Sequence, residues 1–184
     1  GFHDFTIYEK ADRVGGTWRE NTYPGLTCDV PSHYYSYTFE LNPGWTHRFS
    51  TGQEIWHYFD RVTDKYDIRR RIQFGLEVRE CRWQDDAWEI ELSDGTVAKA
   101  DVVVSATGVL HHPSVPDIEG LDSFQGPCFH SARWDHEATL DGKRVGIVGA
   151  GSTAVQIVTA LVSRADRLTM FQRTPQWIAP TPDK

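Results

Sequence analysis

The sequence predicts an α/β fold with two Rossmann-like dinucleotide-binding domains and a small β-meander. Three observations support this prediction. A strand, a glycine turn and a helix start follow one another at residues 143–154. A short β-rich run at residues 4–10 leads into a second glycine turn. Between these two elements, apolar residues alternate and are punctuated by hairpin signals.

The glycine turn near the C-terminal end is typical of a dinucleotide-binding βαβ unit. Gly149 allows a tight turn, and Gly151 lets the backbone approach a pyrophosphate at the helix N-terminus. The apolar stretch 154–162 predicts the helix, and residues 167–173 predict the second strand. The predicted cofactor-binding residues of this turn are Gly149, Gly151, Ser152, Thr153 and Ala154, the last small enough for close packing of the helix on the strand.

The end of the second strand predicts which dinucleotide binds. An NAD site places Asp or Glu about 20 residues after the glycine turn, where the carboxylate binds the ribose hydroxyls. This chain has Gln172 and Arg173 there. Because a guanidinium offers paired donors to a 2′-phosphate, we predict NADPH as the cofactor and Arg173 as its ligand. The alternative is an exposed basic residue that ends a strand.

The N-terminal run resembles the second strand of another dinucleotide domain. Its first strand and glycine turn are absent, so we interpret Gly1 as the end of a helix whose strand lies upstream. Glu9 is then a candidate ligand for the ribose of a cofactor without a 2′-phosphate. The alternative is an edge strand with an exposed Glu. Gly16 and Trp18 follow in a turn suited to a large flat ligand.

The middle of the chain predicts a packing helix and the meander. Residues 50–66 place apolar side chains on one helical face, with Thr51 as a possible cap and Glu54 three residues later. The meander, at about residues 72–98, contains predicted strands at 72–83, 87–92 and 96–97, joined by turns at 85–86 and 94–95.

Residues 100–108 form a continuous apolar run, which is typical of a central parallel strand buried on both faces. The run ends in Ala106, Thr107 and Gly108. Because ligands of open α/β sheets bind at the carboxyl ends of strands, we predict that this end contacts a flavin or its pyrophosphate. The alternative is an ordinary exit from strand to loop. Prolines at 113 and 116 then predict an extended connection.

Composition argues against several classes of protein. A net charge of -7, from 26 acidic and 19 basic residues, argues against a nucleic-acid partner. Cys28, Cys81 and Cys128 lie far apart without a CxxC pair, so no dithiol centre is predicted and a cytoplasmic setting fits. His111 and His112 lack neighbouring ligands at metal spacing. No apolar stretch approaches the roughly 20 residues of a membrane helix, so no membrane partner is predicted.

Two spaced motifs resemble the signatures of Baeyer-Villiger monooxygenases, the class B flavin monooxygenases. The first motif comprises Gly16, Thr17, Trp18, Tyr23, Pro24, Gly25 and Asp29. The second, with the pattern FxGxxxHxxxWD, comprises Phe124, Gly126, His130, Trp134 and Asp135. The second motif directly precedes the glycine turn at 149–151, as it does in that family. The resemblance covers nearly the whole chain.

The resemblance implies two nested domains, both incomplete in this chain. Residues 1–110 would be a partial FAD-binding domain without its first βα unit, 111–141 a linker with the second motif, and 142–184 the start of an NADPH-binding domain. The candidate contacts to FAD are Glu9, Gly16, Trp18, Asp29, Val78, Ala106, Thr107 and Gly108. We therefore interpret the chain as an internal fragment of a longer enzyme, inactive alone and binding FAD weakly or not at all.

The resemblance also implies the reaction. Hydride would pass from NADPH to FAD, O2 would add, and the flavin peroxide would insert one oxygen atom into a ketone. Asp29 would lie near the flavin and nicotinamide, where a carboxylate can tune a cationic neighbour; the alternative is a surface acid. His130 and Trp134 resemble hinge and packing residues, and a general-acid role for His130 is a hypothesis. The family's active-site arginine would lie downstream.

Two alternative functions stay open. A heteroatom oxygenase would use the same cofactors to make N-oxides or sulfoxides, although Trp134 followed by Asp135 favours the ketone-oxidising branch. A non-catalytic nucleotide-binding module would complete its FAD half by association with another chain, because unpaired sheet edges tend to pair. The sequence predicts neither the substrate's identity nor the oligomeric state.

Overall fold

The structure is a computed structural model that describes residues 4–178; the predicted helix end at Gly1 lies outside these residues. The chain divides into two compact units. One contains residues Gly1–Gly16 and Tyr58–His111, and the other contains Thr17–His57 and His112–Lys184. The domain limits at 110 and 141 stay a prediction. No helix within the described residues is long and apolar enough to cross a membrane.

The first unit contains two small sheets. Strand β1 (Ile7–Glu9) pairs in parallel with β2 (Ile72–Phe74), with Glu9 opposite Phe74. Strands β3 (Val78–Gln84), β4 (Ala87–Leu92) and β5 (Val97–Ala100) form an antiparallel meander. The predicted meander and its two turns are present, but the meander runs from Val78 to Ala100 and not over about residues 72–98. Asp85 and Asp86 connect β3 to β4, both with positive φ, as a tight hairpin requires.

The prediction of one strand over residues 72–83 is wrong, because Gly75 divides the run. Gly75 has a φ of +72°, outside the range of an extended strand. Its N–H donates to the carbonyl of Ala11, and the N–H of Leu76 donates to that of Glu9. These bonds continue the parallel pairing with β1, so β2 belongs to a different sheet from β3.

The prediction of a buried central strand at residues 100–108 is also wrong. β5 ends at Ala100 in the meander, and residues 101–107 form no regular strand. Val102 and Val104 are 73% and 83% exposed. A central strand needs a hydrogen-bonded neighbour on each side, and no strand within residues 4–178 pairs with this segment.

Helix α2 (Gly52–Lys65) confirms the predicted packing helix. Ile55 and Tyr58 are fully buried on its apolar face. The Thr51 hydroxyl accepts a hydrogen bond from the N–H of Glu54, as a helix cap does. The Glu54 carboxylate does not complete a capping box with Thr51, because it instead accepts a hydrogen bond from the N–H of Thr46.

The second unit contains the predicted βαβ element. After the short helix α1 (Thr17–Glu20), it includes strand β6 (Arg144–Val148), helix α3 (Ser152–Leu161) and strand β7 (Arg167–Phe171). β6 and β7 pair in parallel without a register shift. The core of this unit consists of the buried Tyr23, Ile157 and Leu161, with Leu26, Trp134, Leu140, Val145, Ile147 and Leu168 packed around them.

Candidate functional site

The glycine turn after β6 has the geometry of a phosphate-binding turn. Gly149 has a φ of +122°, which side-chain-bearing residues rarely adopt, and its N–H donates to the carbonyl of Phe171 at 2.9 Å. A Cβ atom on Gly149 or Gly151 would meet no atom within 4 Å. Space for a ligand therefore lies directly beside the backbone of this turn.

The N-terminal end of α3 faces the same turn. Gly151 is the cap residue, and no side chain caps the helix there. The first backbone amides of a helix lack intrahelical acceptors, so Ser152, Thr153 and Ala154 carry N–H groups suited to an anion. Ala154 is buried, as expected of a small residue at this position. The donors of this turn therefore fit the pyrophosphate of a dinucleotide.

Arg173 follows the end of β7 by two residues and is exposed. The strand ends at Phe171, two residues earlier than predicted. Because the Phe171 carbonyl bonds to Gly149, the end of β7 lies beside the glycine turn. The first residue positions after β7 are thus next to the candidate phosphate site.

The first motif lies against α3 through Tyr23 and Gly25. Tyr23 is buried in the core with Ile157 and Leu161. Gly25 has a φ of +82°, and a Cβ there would lie 2.6 Å from the carbonyl oxygen of Gln156. Any larger residue at position 25 would therefore push the motif loop away from α3.

Gln156 binds the motif loop through its whole carboxamide. Its Oε1 accepts hydrogen bonds from the Tyr23 hydroxyl at 3.0 Å and the Thr27 N–H at 3.3 Å. Its Nε2 donates to the Thr27 carbonyl at 3.0 Å and to Oδ1 of Asp29 at 2.9 Å. Asp29, the predicted catalytic carboxylate, is exposed but held by this bond to α3.

The surroundings of the Tyr23 hydroxyl shift its pKa. Burial raises the pKa of Tyr23, a side-chain hydrogen bond with Thr153 lowers it, and the nearby Asp29 charge raises it. Thr153, one of the predicted cofactor residues, thus lies near the first motif. The raised pKa means that the phenol stays a hydrogen-bond donor throughout the physiological pH range.

Trp18 is held by Tyr35 in the second unit. Its indole N–H donates to the Tyr35 hydroxyl at 3.0 Å, and the two rings meet edge to face at 5.5 Å. A Cβ on Gly52 would lie 2.4 Å from Cδ2 of Leu26, so the first residue of α2 leaves room for Leu26, and its distance to the Trp18 ring would be an ordinary contact of 3.4 Å. The ring is therefore held by packing before any ligand arrives.

The side chains of the second motif make local contacts that stabilise the fold. The Nδ1 atom of His130 accepts a hydrogen bond from the Ala132 N–H at 3.1 Å and so caps the short 3-10 helix Ser131–Arg133. Trp134 meets the Phe129 ring edge to face and packs against the core of the second unit. These contacts place neither side chain in a proton-transfer pair.

The remaining candidates lie in the first unit. The Glu9 carboxylate, at the end of β1, accepts a hydrogen bond from the Ala11 N–H at 2.9 Å. Gly16 has a φ of +47° and Gly108 a φ of +76°, and a Cβ atom added to either would meet no atom within 4 Å. Val78 begins β3, and Ala106 and Thr107 are exposed. Their binding roles stay predictions.

Sequence reasoning missed Gln156, although it brings together Asp29 and the helix of the glycine turn. One signal was available: Gln156 is a single polar residue between the apolar Val155 and Ile157 on a helix with a buried face. A polar side chain in such a position usually has a hydrogen-bond partner. Its partners lie 127–133 residues away in the chain and could not be identified from local pattern.

Comparison with known proteins identifies the family. The model of the pyridine nucleotide-disulphide oxidoreductase family matches residues 33–184, and that of the NAD(P)-binding Rossmann-like domain matches residues 1–62. These matches confirm the predicted fold class. A Baeyer-Villiger monooxygenase of Streptomyces coelicolor is 50% identical over 186 residues, which cover 100% of this chain and 36% of that protein. The predicted resemblance is thereby confirmed.

Solved structures are also similar to this chain. Cyclohexanone monooxygenase from Rhodococcus sp. Phi1 bound to NADP+ is 40% identical with a TM-score of 0.88, over 97% of this chain and 35% of that one. OTEMO in complex with FAD and NADP is 36% identical with a TM-score of 0.87, over 97% and 36%. The chain thus spans about a third of the length of these proteins. The match over residues 33–184 shows that this chain belongs to the pyridine nucleotide-disulphide oxidoreductase family.

Proposed function

We propose that the protein containing this chain is an FAD- and NADPH-dependent monooxygenase that inserts one atom of O2 into a ketone. The observation that carries the proposal is the 50% identity, over the whole chain, to a relative named Baeyer-Villiger monooxygenase. The solved relatives bind NADP+, or FAD and NADP, as their names state. The donor chemistry of the glycine turn fits the same dinucleotides.

We propose that NADPH binds at the N-terminal end of α3. The amides of Ser152 and Thr153 would receive the pyrophosphate, and the missing side chains of Gly149 and Gly151 leave the space that it needs. The Arg173 guanidinium would bind the 2′-phosphate through paired charge-assisted hydrogen bonds. The chain's own task here is to bind and orient, so that the nicotinamide is presented in one pose.

We propose that Glu9 binds the ribose of FAD and that the other FAD contacts are those that the resemblance implies. Bound FAD would supply hydride acceptance and the activation of O2. Glu9 fits the ribose role because its carboxylate stands at the end of a parallel strand, where dinucleotide domains place this ligand.

Asp29 is the proposed catalytic residue of this chain, as a fixed negative charge close to the cofactors. His130 is assigned a supporting role, because its Nδ1 atom is engaged in a cap. A His130→Ala variant of the complete protein tests this assignment. We expect unchanged ratios of oxygenated product to hydrogen peroxide; a large rise in peroxide release would instead make His130 part of the proton-transfer chemistry.

The proposed reaction consumes one ketone, one O2, one NADPH and one proton, and yields one ester or lactone, one H2O and one NADP+. The test is to purify the complete protein with FAD and supply NADPH, O2 and cyclohexanone. We expect a lactone heavier than the ketone by one oxygen atom, with 18O from 18O2 in the product. Absence of lactone with any cyclic or linear ketone, but oxidation of a thioether or amine, would support the heteroatom alternative.

The proposal includes a cytoplasmic location. Cys28, Cys81 and Cys128 are free in the structure, which suits a reducing compartment. Fluorescence microscopy of the tagged protein in its native cell tests this part independently of the reaction. Export from the cytoplasm would contradict the location without affecting the proposed chemistry.

A further inference from the structure

The side chain of Gln156 connects the nucleotide-binding helix to the predicted catalytic carboxylate. We propose that Gln156 is a positioning residue that holds Asp29 in place relative to a dinucleotide bound at the N-terminal end of α3. This inference rests on the proposed function. It adds a residue that belongs to neither motif and to no predicted ligand set.

The hydrogen bonds of Gln156 allow only one orientation of its amide. Oε1 faces two donors, the Tyr23 hydroxyl and the Thr27 N–H, and Nε2 faces two acceptors, the Thr27 carbonyl and Asp29. Rotation of the amide by a half-turn would set donor against donor and oxygen against carboxylate. All four hydrogen-bonding positions of the amide are used. Any other orientation of the side chain would therefore lose hydrogen bonds.

The loop that carries Asp29 contacts α3 twice, and both contacts are made to Gln156. Gly25 approaches the backbone of Gln156 so closely that a Cβ would lie 2.6 Å from its carbonyl oxygen. Four residues further along the chain, Asp29 binds the side chain of the same glutamine. Position 156 therefore contacts both ends of the segment 25–29, once through its backbone and once through its side chain.

The same helix begins at the candidate phosphate site. Gln156 lies five residues after Gly151, a rise of about 7.5 Å along a helix. The Tyr23 hydroxyl donates to Gln156, and Thr153 in the first turn lies close enough to influence the pKa of the same hydroxyl. A dinucleotide on the first turn and the carboxylate of Asp29 would therefore share one rigid element, whose side chains set the distance between them.

Because Asp29 is exposed, its carboxylate needs a hydrogen-bond partner to keep it in one orientation. An exposed aspartate normally samples several rotamers, and its charge is spread over all of them. The bond from Nε2 selects the rotamer whose Oδ1 points to α3 and leaves Oδ2 available for a second partner. Electrostatic catalysis depends on groups that are already oriented before the reaction, so the loss of Gln156 should slow hydride transfer more than it weakens binding.

A Gln156→Glu variant of the complete FAD-loaded protein tests the proposal. The change keeps the size and the Oε1 acceptor but places a second carboxylate beside Asp29. Two adjacent carboxylates share a proton, so the pKa of one of them rises. We expect flavin reduction by NADPH, relative to wild type at the same pH, to fall about tenfold at pH 8 and to recover toward pH 6. The dissociation constant for NADP+ should change less than about threefold.

Two controls separate positioning from simple destabilisation. Tyr23→Phe removes one partner of Oε1 and keeps both donor bonds of Nε2, so it should lower the melting temperature without the pH-dependent loss. In an Asp29→Asn background, Gln156→Glu should cause no further pH-dependent change between pH 6 and 8, because only one carboxylate remains. An equal loss at every pH, or the same pH dependence in the Asp29→Asn background, would overturn the proposal.

Failure of the proposed function would look different. If the wild-type protein does not oxidise NADPH, the monooxygenase assignment fails, but the contact itself is still tested by the melting temperature. The melting temperature of Gln156→Glu, relative to wild type, should rise as pH falls from 8 to 6, since protonation restores a donor toward Asp29. A pH-independent difference would show that the two side chains do not interact in solution.

Discussion

The βαβ element at residues 144–171 and the segment at residues 101–110 begin from similar apolar sequences but differ in strand pairing. β6 pairs with β7 along its whole length, and Leu161 on the covering helix is 1% exposed. Val104 in the other segment is 83% exposed, and no strand in the described part of the chain pairs with it. An apolar run in the sequence therefore does not by itself predict a strand in a sheet. The backbone of the run also needs neighbouring strands that satisfy its hydrogen bonds.

The largest expected effect of a single substitution falls on the buried side of this comparison. Leu161→Ala should lower the free energy of unfolding by about 2–5 kcal/mol, because it leaves a cavity beside Tyr23 and Ile157. Val162→Ala, at the next and 63% exposed position, should change it by less than about 0.5 kcal/mol. Urea denaturation of both variants measures the difference. Equal losses would mean that the core is not where the structure places it.

A smaller effect is expected at the glycine turn, where two glycines provide a matched pair. Gly149 and Gly142 both have positive φ, and neither has an atom within 4 Å of an added Cβ. Alanine at Gly142, whose φ of +67° lies in the left-handed helical region, should cost about 1–2 kcal/mol of strain, and alanine at Gly149, whose φ of +122° lies outside that region, should cost more. Only Gly149→Ala should also weaken NADP+ binding, by about tenfold, because its methyl group enters the proposed pyrophosphate site. Isothermal titration calorimetry gives both affinities.

The NADP+ affinities of the two variants would differ from this expectation if the ligand bound elsewhere. Equal NADP+ affinities for Gly149→Ala and Gly142→Ala would remove the turn from the binding site. A loss of affinity only in Gly142→Ala would move the site to the loop before β6.

The smallest effect is expected in the exposed segment. Val104→Ala should change the free energy of unfolding by less than about 0.5 kcal/mol, since the side chain makes little contact in this structure. The same urea titration measures it. A loss above about 2 kcal/mol in the complete protein would contradict the contrast between the two regions, because it would require a partner that covers this segment.

The contrast also explains which parts of the fold were predictable. The βαβ element was predicted because its signals are local: Gly149 and Gly151 mark the turn, and the helix and strand that follow have regular apolar patterns. The errors at residues 72–83 and 100–108 concern pairing. Gly75 separates two strands that pair with different partners, and no local signal indicates which partner each one has.

The candidate site shows the same limit. The sequence identified Asp29 and Thr153 separately, from a motif and from the start of a helix. It did not identify Gln156, whose amide bonds to Thr27 and Asp29, because partners 129 and 127 positions away leave no periodic pattern. Fold elements follow from neighbouring residues, whereas the contacts that arrange a site depend on how those elements meet.

The end of β7 and the turn at Gly149 together form the pocket that we propose for a dinucleotide with a 2′-phosphate. The most direct test is to titrate the protein with NADP+ and with NAD+, which differ only in that phosphate, and to repeat both titrations with Arg173→Ala. Arg167→Ala, at the exposed opposite end of the same strand, is the matched control. We predict that wild type and Arg167→Ala bind NADP+ at least about tenfold more tightly than NAD+, and that Arg173→Ala loses this preference. Equal affinities in wild type, or a preference that survives in Arg173→Ala, would contradict the account.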